Sequence, residues 1–300
     1  MSLYEILGTI ETGLVFGLVA LGAYLSFRVL KFPDLTVEGS FPLGAAVCAA
    51  LMSGAGVSAW LAIVAALIAG FAAGWLTALL NVRFGILNIL TGILVSIALY
   101  SINLRIMGGP NAPLLGVETI FDSFHVDGIP SFYITPVVVG AFAFLALVLV
   151  NLFLSTGYGL AMRAAGANPA MAAAQGINVG RMTLVGLGAA NALTALAGAL
   201  FAQIFGAADA YMGIGVVIVG LASVIVGTSL LPSRTILQAT FACLVGAVLY
   251  RFAVALALNA DWLGLQASDV QLVTSVLVAL ALVVQGAGFG LPKLMRGKAE

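Results

Sequence analysis

Charge is scarce in this sequence. Only 7% of its 300 residues are Asp, Glu, Lys or Arg, against roughly 25% in soluble domains. Eleven basic residues balance eleven acidic ones, so there is no net field to hold nucleic acid or to float the chain on an anionic surface. One histidine, His125, and two cysteines, Cys48 and Cys243, make neither a metal-ligand set nor a disulfide framework. Both cysteines lie in apolar runs, as small buried hydrophobes do. No phosphate-cradling loop occurs: the one Gly-Lys pair, Gly297-Lys298, is followed by Ala299 and has Pro292 where the loop needs glycine. An intramembrane hydrolase has no Gly-x-Ser-x-Gly elbow to use, and the sole histidine falls in a polar loop.

What the chain has in abundance is apolar length. Hydrophobic residues make up 63% of it, and 36 glycines suit helices whose backbones approach closely in lipid. A spanning helix needs about 20 apolar residues. The stretches that qualify are Ile6 to Val29, Phe41 to Val57, Trp60 to Leu80, Ile86 to Met107, Phe132 to Leu154, Met182 to Phe205, Met212 to Leu231, Thr235 to Leu258 and Val270 to Gly286. The fold expected is all-α: a polytopic membrane helix bundle of about nine spans with interrupted helices. Residues 1–300 are expected to form a single transmembrane domain. The second span is short, with its turn at Ser53-Gly54-Ala55-Gly56. The first apolar stretch has no basic residue before it and holds Glu5 and Glu11, which fits a first span and not a cleaved signal.

Lys and Arg favour cytoplasmic loops. With the N-terminus outside and the C-terminus inside, nine of the eleven basic residues fall on the inner side: Arg28, Lys31, Arg83, Arg163, Arg181, Arg234, Lys293, Arg296 and Lys298. An outer loop, Gly108 to Ser131, carries three prolines, three acids and His125, a polar loop residue that can titrate near neutrality. The inner loop, 155–181, is rich in alanine, with Gly166 and Asn168-Pro169 expected to break it into two short helices. Two stubby helices that cannot span a bilayer suit docking better than mere connection.

Transporters often bind cargo where helices are interrupted. Phe32 through Pro42, with Asp34, Thr36, Glu38 and Ser40, follows the first span, and Gly206 through Gly215 follows the sixth. Those two spans run in opposite directions, which leaves room for an inverted repeat. In the fourth span Ser96, Tyr100 and Asn103, with Asn88 and Gly92 nearby, form a polar stripe at helical spacing. Asn191 and Thr194 repeat the theme in the sixth. Such stripes either line a path or bond helices together. Glu11 and Arg251 are charges inside apolar spans, expensive unless paired or wet. They are positioned to pair with each other, to snorkel, or, for Arg251, to meet a substrate carboxylate.

Gly159-Leu160-Ala161-Met162-Arg163-Ala164-Ala165-Gly166-Ala167-Asn168-Pro169, followed by Ala172-Ala173 and Gly176-Ile177, resembles the cytoplasmic coupling motif of permeases of the branched-chain amino acid and ribose importer type, the transmembrane subunits of ABC importers. Asp34-Leu35-Thr36-Val37-Glu38-Gly39-Ser40 and Gly220 to Gly227 resemble two further family segments. Pro169-Ala170 stands where relatives often have an acid, Thr228 replaces a second glycine, and Glu38 is an insertion relative to the sugar-type pattern. The Pro-Asp-Leu-Thr-Val-Glu-Gly-Ser form is most similar to a branch that travels with lipoprotein-like binding proteins, for which aromatic or other amino acids are suggested as cargo.

The resemblance implies an ATP-driven permease subunit, not itself an enzyme, in the inner membrane of a prokaryote. No cofactor is expected in this chain; ATP and Mg would sit on a partner ABC ATPase. A substrate-binding protein outside the cell and a second copy of the permease are the other partners implied. Gly159, Arg163, Ala164, Gly166, Asn168, Ala172, Gly176 and Ile177 are then the coupling residues, with Gly166 permitting close approach of the ATPase and Arg163 pairing with an acid on it. The runner-up, a secondary active transporter, would need intramembrane carboxylates for ion coupling, and within the spans only Glu11 qualifies.

Overall fold

The computed structural model describes residues 3–124, 130–231, 234–258 and 270–286. His125, proposed for the outer loop, and the Gly297-Lys298 pair lie outside the described residues. In hydrocarbon every backbone N–H and C=O must find its partner within the protein, which a helix achieves segment by segment. The described residues accordingly form eleven α-helices: α1 (Leu3–Ala23), α2 (Val37–Ala49), α3 (Ala59–Phe84), α4 (Asn88–Met107), α5 (Ser131–Ser155), α6 (Gly157–Ala167), α7 (Pro169–Ala174), α8 (Val179–Phe205), α9 (Val216–Leu230), α10 (Ile236–Leu258) and α11 (Val270–Gly286). Wider π turns extend α1 through Tyr24–Val29 and α2 through Ala50–Gly54. Among the described residues seven of these rods are long and apolar enough to cross a bilayer, and α9, at 15 residues, is apolar but shorter. The protein is a polytopic helical membrane protein.

α8 forms the centre of the bundle and packs on α1, α2 and α3. Small residues make this possible: Gly74 of α3 lies against the Leu187 carbonyl of α8, and Gly198 of α8 against the Phe41 carbonyl of α2, places where any side chain would collide with backbone. α9 and α10 meet the same way through Gly227 and Gly246. An aromatic cluster, Phe16, Phe41 and Phe201, ties α1, α2 and α8 with ring centroids 5.6–6.1 Å apart.

The first interruption is narrower than the sequence suggests. The π-extended α1 stops where Lys31 takes a left-handed conformation (φ 53°) and the Phe32 N–H returns to the Ser26 carbonyl at 2.8 Å, a closure one residue wider than the Schellman turn and made without glycine. α2 then begins at Val37, so Phe41-Pro42 belongs to the helix and not to the break. Proline there removes the N–H that would bond the Glu38 carbonyl four residues back, and Gly213 packs directly against that carbonyl and the Pro42 ring. In the inner loop Gly166 does not break the helix as expected; α6 runs through it and ends only at Asn168-Pro169.

Opposite ends of the bundle differ in charge. Gly166 packs on Val29 and Gly180 on Val82, which brings Arg28, Lys31, Arg83, Arg163 and Arg181 to the end carrying α6 and α7. At the other end β1 (Asn111–Pro113) pairs antiparallel with β2 (Ala207–Asp209), and Glu118 shares a furrow with Trp60.

Candidate functional site

Three groups of polar residues stand out, and they do different things. At the basic end, Thr156 caps α6 by accepting from the Gly159 N–H (3.2 Å), and Asn168 caps α7 by accepting from the Met171 N–H (3.0 Å), with Pro169 in the first turn. Gly159 sits on the Phe153–Leu154 backbone, Met162 and Ala172 are buried, and the Ile177 N–H reaches the Ala172 carbonyl at 3.0 Å. Gly166 makes its close approach to the chain's own Val29 carbonyl, so it is no contact point for a partner. What α6–α7 presents outward is Tyr158 and Leu160 from α6, then Ala167 through Met171 and Ala173 through Gly176, with Leu160 59% and Met171 56% exposed. Gly176 holds the exit turn at φ 80°. Arg163 and Ala164 are half-buried, and the Arg163 Nε has no hydrogen-bond partner among the described residues. Sequence reasoning missed Met171, whose only signal was an apolar side chain on an otherwise alanine surface.

Deeper in, Asp34, Thr36, Ser40, Thr77 and Asn191 are all fully buried. Asp34 accepts from the Thr36 N–H (2.9 Å) and from Asn191 Nδ2 (2.6 Å). Ser40 donates to Asn191 Oδ1 (2.7 Å), and the Thr36 and Thr77 hydroxyls bond at 2.7 Å. Burial pushes the Asp34 carboxyl above the usual carboxylate range, and the hydrogen bonds from Thr36 and Asn191 oppose that rise. These residues join the break after α1 to α3 and α8, bonded to one another in a knot with no exposed surface. Thr194, nearby on α8, donates back to the Ala190 carbonyl at 3.1 Å. Thr77 was missed because a lone threonine in an apolar span looks like any other.

The α4 stripe divides. Ser96 faces α2 at Gly39, and Asn103 Nδ2 donates to the Gly39 carbonyl at 3.2 Å. Asn88 accepts from Asn81 at 2.7 Å across the α3–α4 turn. Tyr100 alone turns outward, bonding the Tyr211 hydroxyl at 2.9 Å. Asn103 Oδ1 is buried without a hydrogen-bond partner among the described residues. Asn103→Leu is therefore expected to change stability by under about 1 kcal/mol, the lost bond being offset by removal of the unpaired oxygen. The melting temperature of the purified chain checks this, and a large drop would mean that the oxygen is bonded in the membrane.

The third group lines a cavity of about 680 Å³ toward the acidic end. Glu38 and Arg251 both border it, with Phe16, Phe201, Tyr211 and Thr274. Glu38 Oε1 accepts from the Gly215 N–H at 3.3 Å, and the Arg251 guanidinium lies 4.0 Å over the Phe16 ring. Arg251 thus does not pair with Glu11, because the α1 face it meets is Phe16, and its buried Nε has no hydrogen-bond partner among the described residues. The aromatic walls were not legible beforehand, since aromatics are ordinary in spans. Two other furrows, of about 360 and 380 Å³, are lined by apolar residues alone and offer no polar anchor.

Comparison with known proteins adds family information. Residues 6–287 match the family model described as branched-chain amino acid transport system / permease component. The chain is 36% identical over 289 residues to the tyrosine transport system permease protein of Clostridioides difficile (strain R20291), covering 96% of this chain and 94% of that one. It is 31% identical over 277 residues to an uncharacterised protein of Rickettsia prowazekii (strain Madrid E), covering 91% and 95%. No solved structure matches it.

Proposed function

Because the chain belongs to the family of branched-chain amino acid transport permease components, we propose that it carries an amino acid, most naturally an aromatic one, across the membrane on energy supplied by a separate ATPase. The permease is not itself catalytic. A relative named as a tyrosine transport permease supports aromatic cargo. The chain crosses the membrane nine times, α9 and α11 adding short crossings to the seven long ones. Its basic end faces the cytoplasm, which places the N-terminus outside and the C-terminus inside.

The observation that carries this reading is the α6–α7 hairpin. It is anchored to α1 through Gly166, and its exposed crest from Ala167 to Met171 projects from the basic end. Nucleotide-driven closure of an ATPase beneath that crest would pass through buried contacts straight to α1 and α8. A soluble binding protein delivers cargo at the acidic end. Two copies of the permease are required, since one chain supplies a single hairpin for a two-ATPase engine. Residues 1–300 act as one domain, with 155–181 as its coupling loop.

Co-expression with an ATPase and a binding protein, followed by reconstitution, tests this. ATP-dependent amino-acid uptake and binding-protein-stimulated hydrolysis are expected, and the permease alone should hydrolyse nothing. Turnover by the isolated chain, or no uptake of any amino acid, would sink the reading. Orientation has its own check, for which the buried native Cys48 and Cys243 leave little background. A cysteine replacing exposed Ser123 should react with an impermeant maleimide on intact cells, and one replacing Asn168 only after permeabilisation; the reverse pattern inverts the topology.

A further inference from the structure

We infer that the cavity between α1, α2, α9, α10 and α11 is a binding site for a free aromatic amino acid, with Glu38 receiving the α-ammonium group and Arg251 the α-carboxylate. This rests on the amino-acid permease reading and gives it a place. The first ground is the state of the two charges. They border one cavity but do not form an ion pair with each other. Among the described residues the carboxylate of Glu38 holds a single long bond, to the Gly215 N–H at 3.3 Å, and Arg251 Nε holds none. Opposite charges left apart in an apolar slab are costly. A ligand with an ammonium and a carboxylate on one carbon supplies both counter-charges at once, and nothing with a single charge, nor a neutral sugar, does so.

The second ground is the wall. Phe16 and Phe201 meet edge to face at 6.1 Å, and Tyr211 is held by Tyr100 at 2.9 Å, so the cavity offers ring surface beside the charges. Its volume of about 680 Å³ falls within the roughly 300–1,000 Å³ of small-molecule sites. The third ground is position: Tyr211, Met212 and Gly215 follow β2, so the cavity lies by the end opposite α6–α7, where a binding protein would hand over cargo. Arg251 over Phe16 is then the resting arrangement of a guanidinium that turns to the incoming carboxylate.

The test uses the full-length purified permease and three probes of one shape: tyrosine, tyramine, which lacks the carboxylate, and 3-(4-hydroxyphenyl)propanoate, which lacks the amine. Wild type is expected to bind tyrosine at least tenfold more tightly than either analogue. Arg251→Gln should lose at least tenfold for tyrosine while keeping tyramine, and Glu38→Gln should lose tyrosine while keeping the propanoate. Arg251→Lys should recover part of the loss. Equal binding of all three probes by wild type overturns the assignment, and so does an equal loss of all three in variants that elute and melt like wild type. Uptake by the complete transporter separates this from the underlying reading. Amino-acid uptake that persists unchanged in both variants removes the site but leaves the permease standing. If wild type takes up no amino acid, the reading itself fails and takes the site with it. Another aromatic amino acid transported in place of tyrosine replaces it, with its own two analogues, in the binding arm, and uptake of aliphatic amino acids alone overturns the aromatic site.

Discussion

Gly166→Trp is expected to yield no stable permease. Although the residue lies in the α6–α7 hairpin, outside the long spans, it is buried, and a Cβ there would run into the Val29 carbonyl and approach Leu30 Cα at 2.9 Å. Backbone that closes α1 cannot step aside as a flexible side chain would. Inserting methylenes into packed interiors costs about 1–3 kcal/mol, and an indole adds far more volume than that. The expected result is loss of the monodisperse peak in detergent and of any melting transition near that of wild type. Met171→Glu makes the contrast. Met171 is 56% exposed on the same hairpin, so a charge there leaves the fold intact while setting a polar group where an ATPase groove should close. Yield and melting should match wild type, and co-purified ATPase and stimulated hydrolysis should fall at least tenfold, since about 1.4 kcal/mol is already tenfold in an equilibrium constant. A normally folded Gly166→Trp would contradict the packing described for α6, and full coupling in Met171→Glu would remove the crest as the docking surface.

Asp34→Ala should be nearly as damaging, by a different route. Its carboxylate accepts from both the Thr36 N–H and Asn191 Nδ2, and all three residues are fully buried. Removing the acceptor strands two donors where water cannot reach them, at about 1–3 kcal/mol each. Asn191 also accepts from Ser40, so a shift of its amide would pass the fault to α2. A loss of about 2–6 kcal/mol is expected on that basis, read as a lowered melting temperature and poor yield. Asp34→Asn should fall between, because its single amide oxygen can serve only one of the two donors well. If Asp34→Ala melts like wild type, the knot contributes nothing and Asp34 would have to be sought on a solvated path instead.

The hairpin proposed for coupling is also a packing element, which explains why the motif at Gly159 to Ile177 is so dense in small side chains. Gly159, Gly166 and Ala172 face inward, and Asn168 spends its side chain capping α7. A variant scan of the hairpin should therefore split into folding losses on one face and coupling losses on the other.

The seven long spans were legible because lipid offers the backbone no partner, so apolar length alone dictates a helix, whereas α9 and α11, counted among the nine expected, fall short of that length. The break at Asn168-Pro169 was legible too, since proline's missing N–H and its clash with the preceding residue act locally. Gly166 was read wrongly for the opposite reason. A glycine weakens a helix in isolation, yet here it is what lets α6 touch α1, and close approach is a property of two segments. The α4 stripe, open between lining a path and bonding helices, needed the same information from a second segment. Ser96, Tyr100 and Asn103 sit at helical spacing, but only the position of α2 decides that Ser96 and Asn103 pack while Tyr100 turns away. Composition and local backbone chemistry thus determined that this is a helical membrane protein with a broken inner loop. Tertiary structure decided which polar residues are knotted shut and which, as with Glu38 and Arg251, border a cavity, because burial depends on neighbours that arrive from distant parts of the chain.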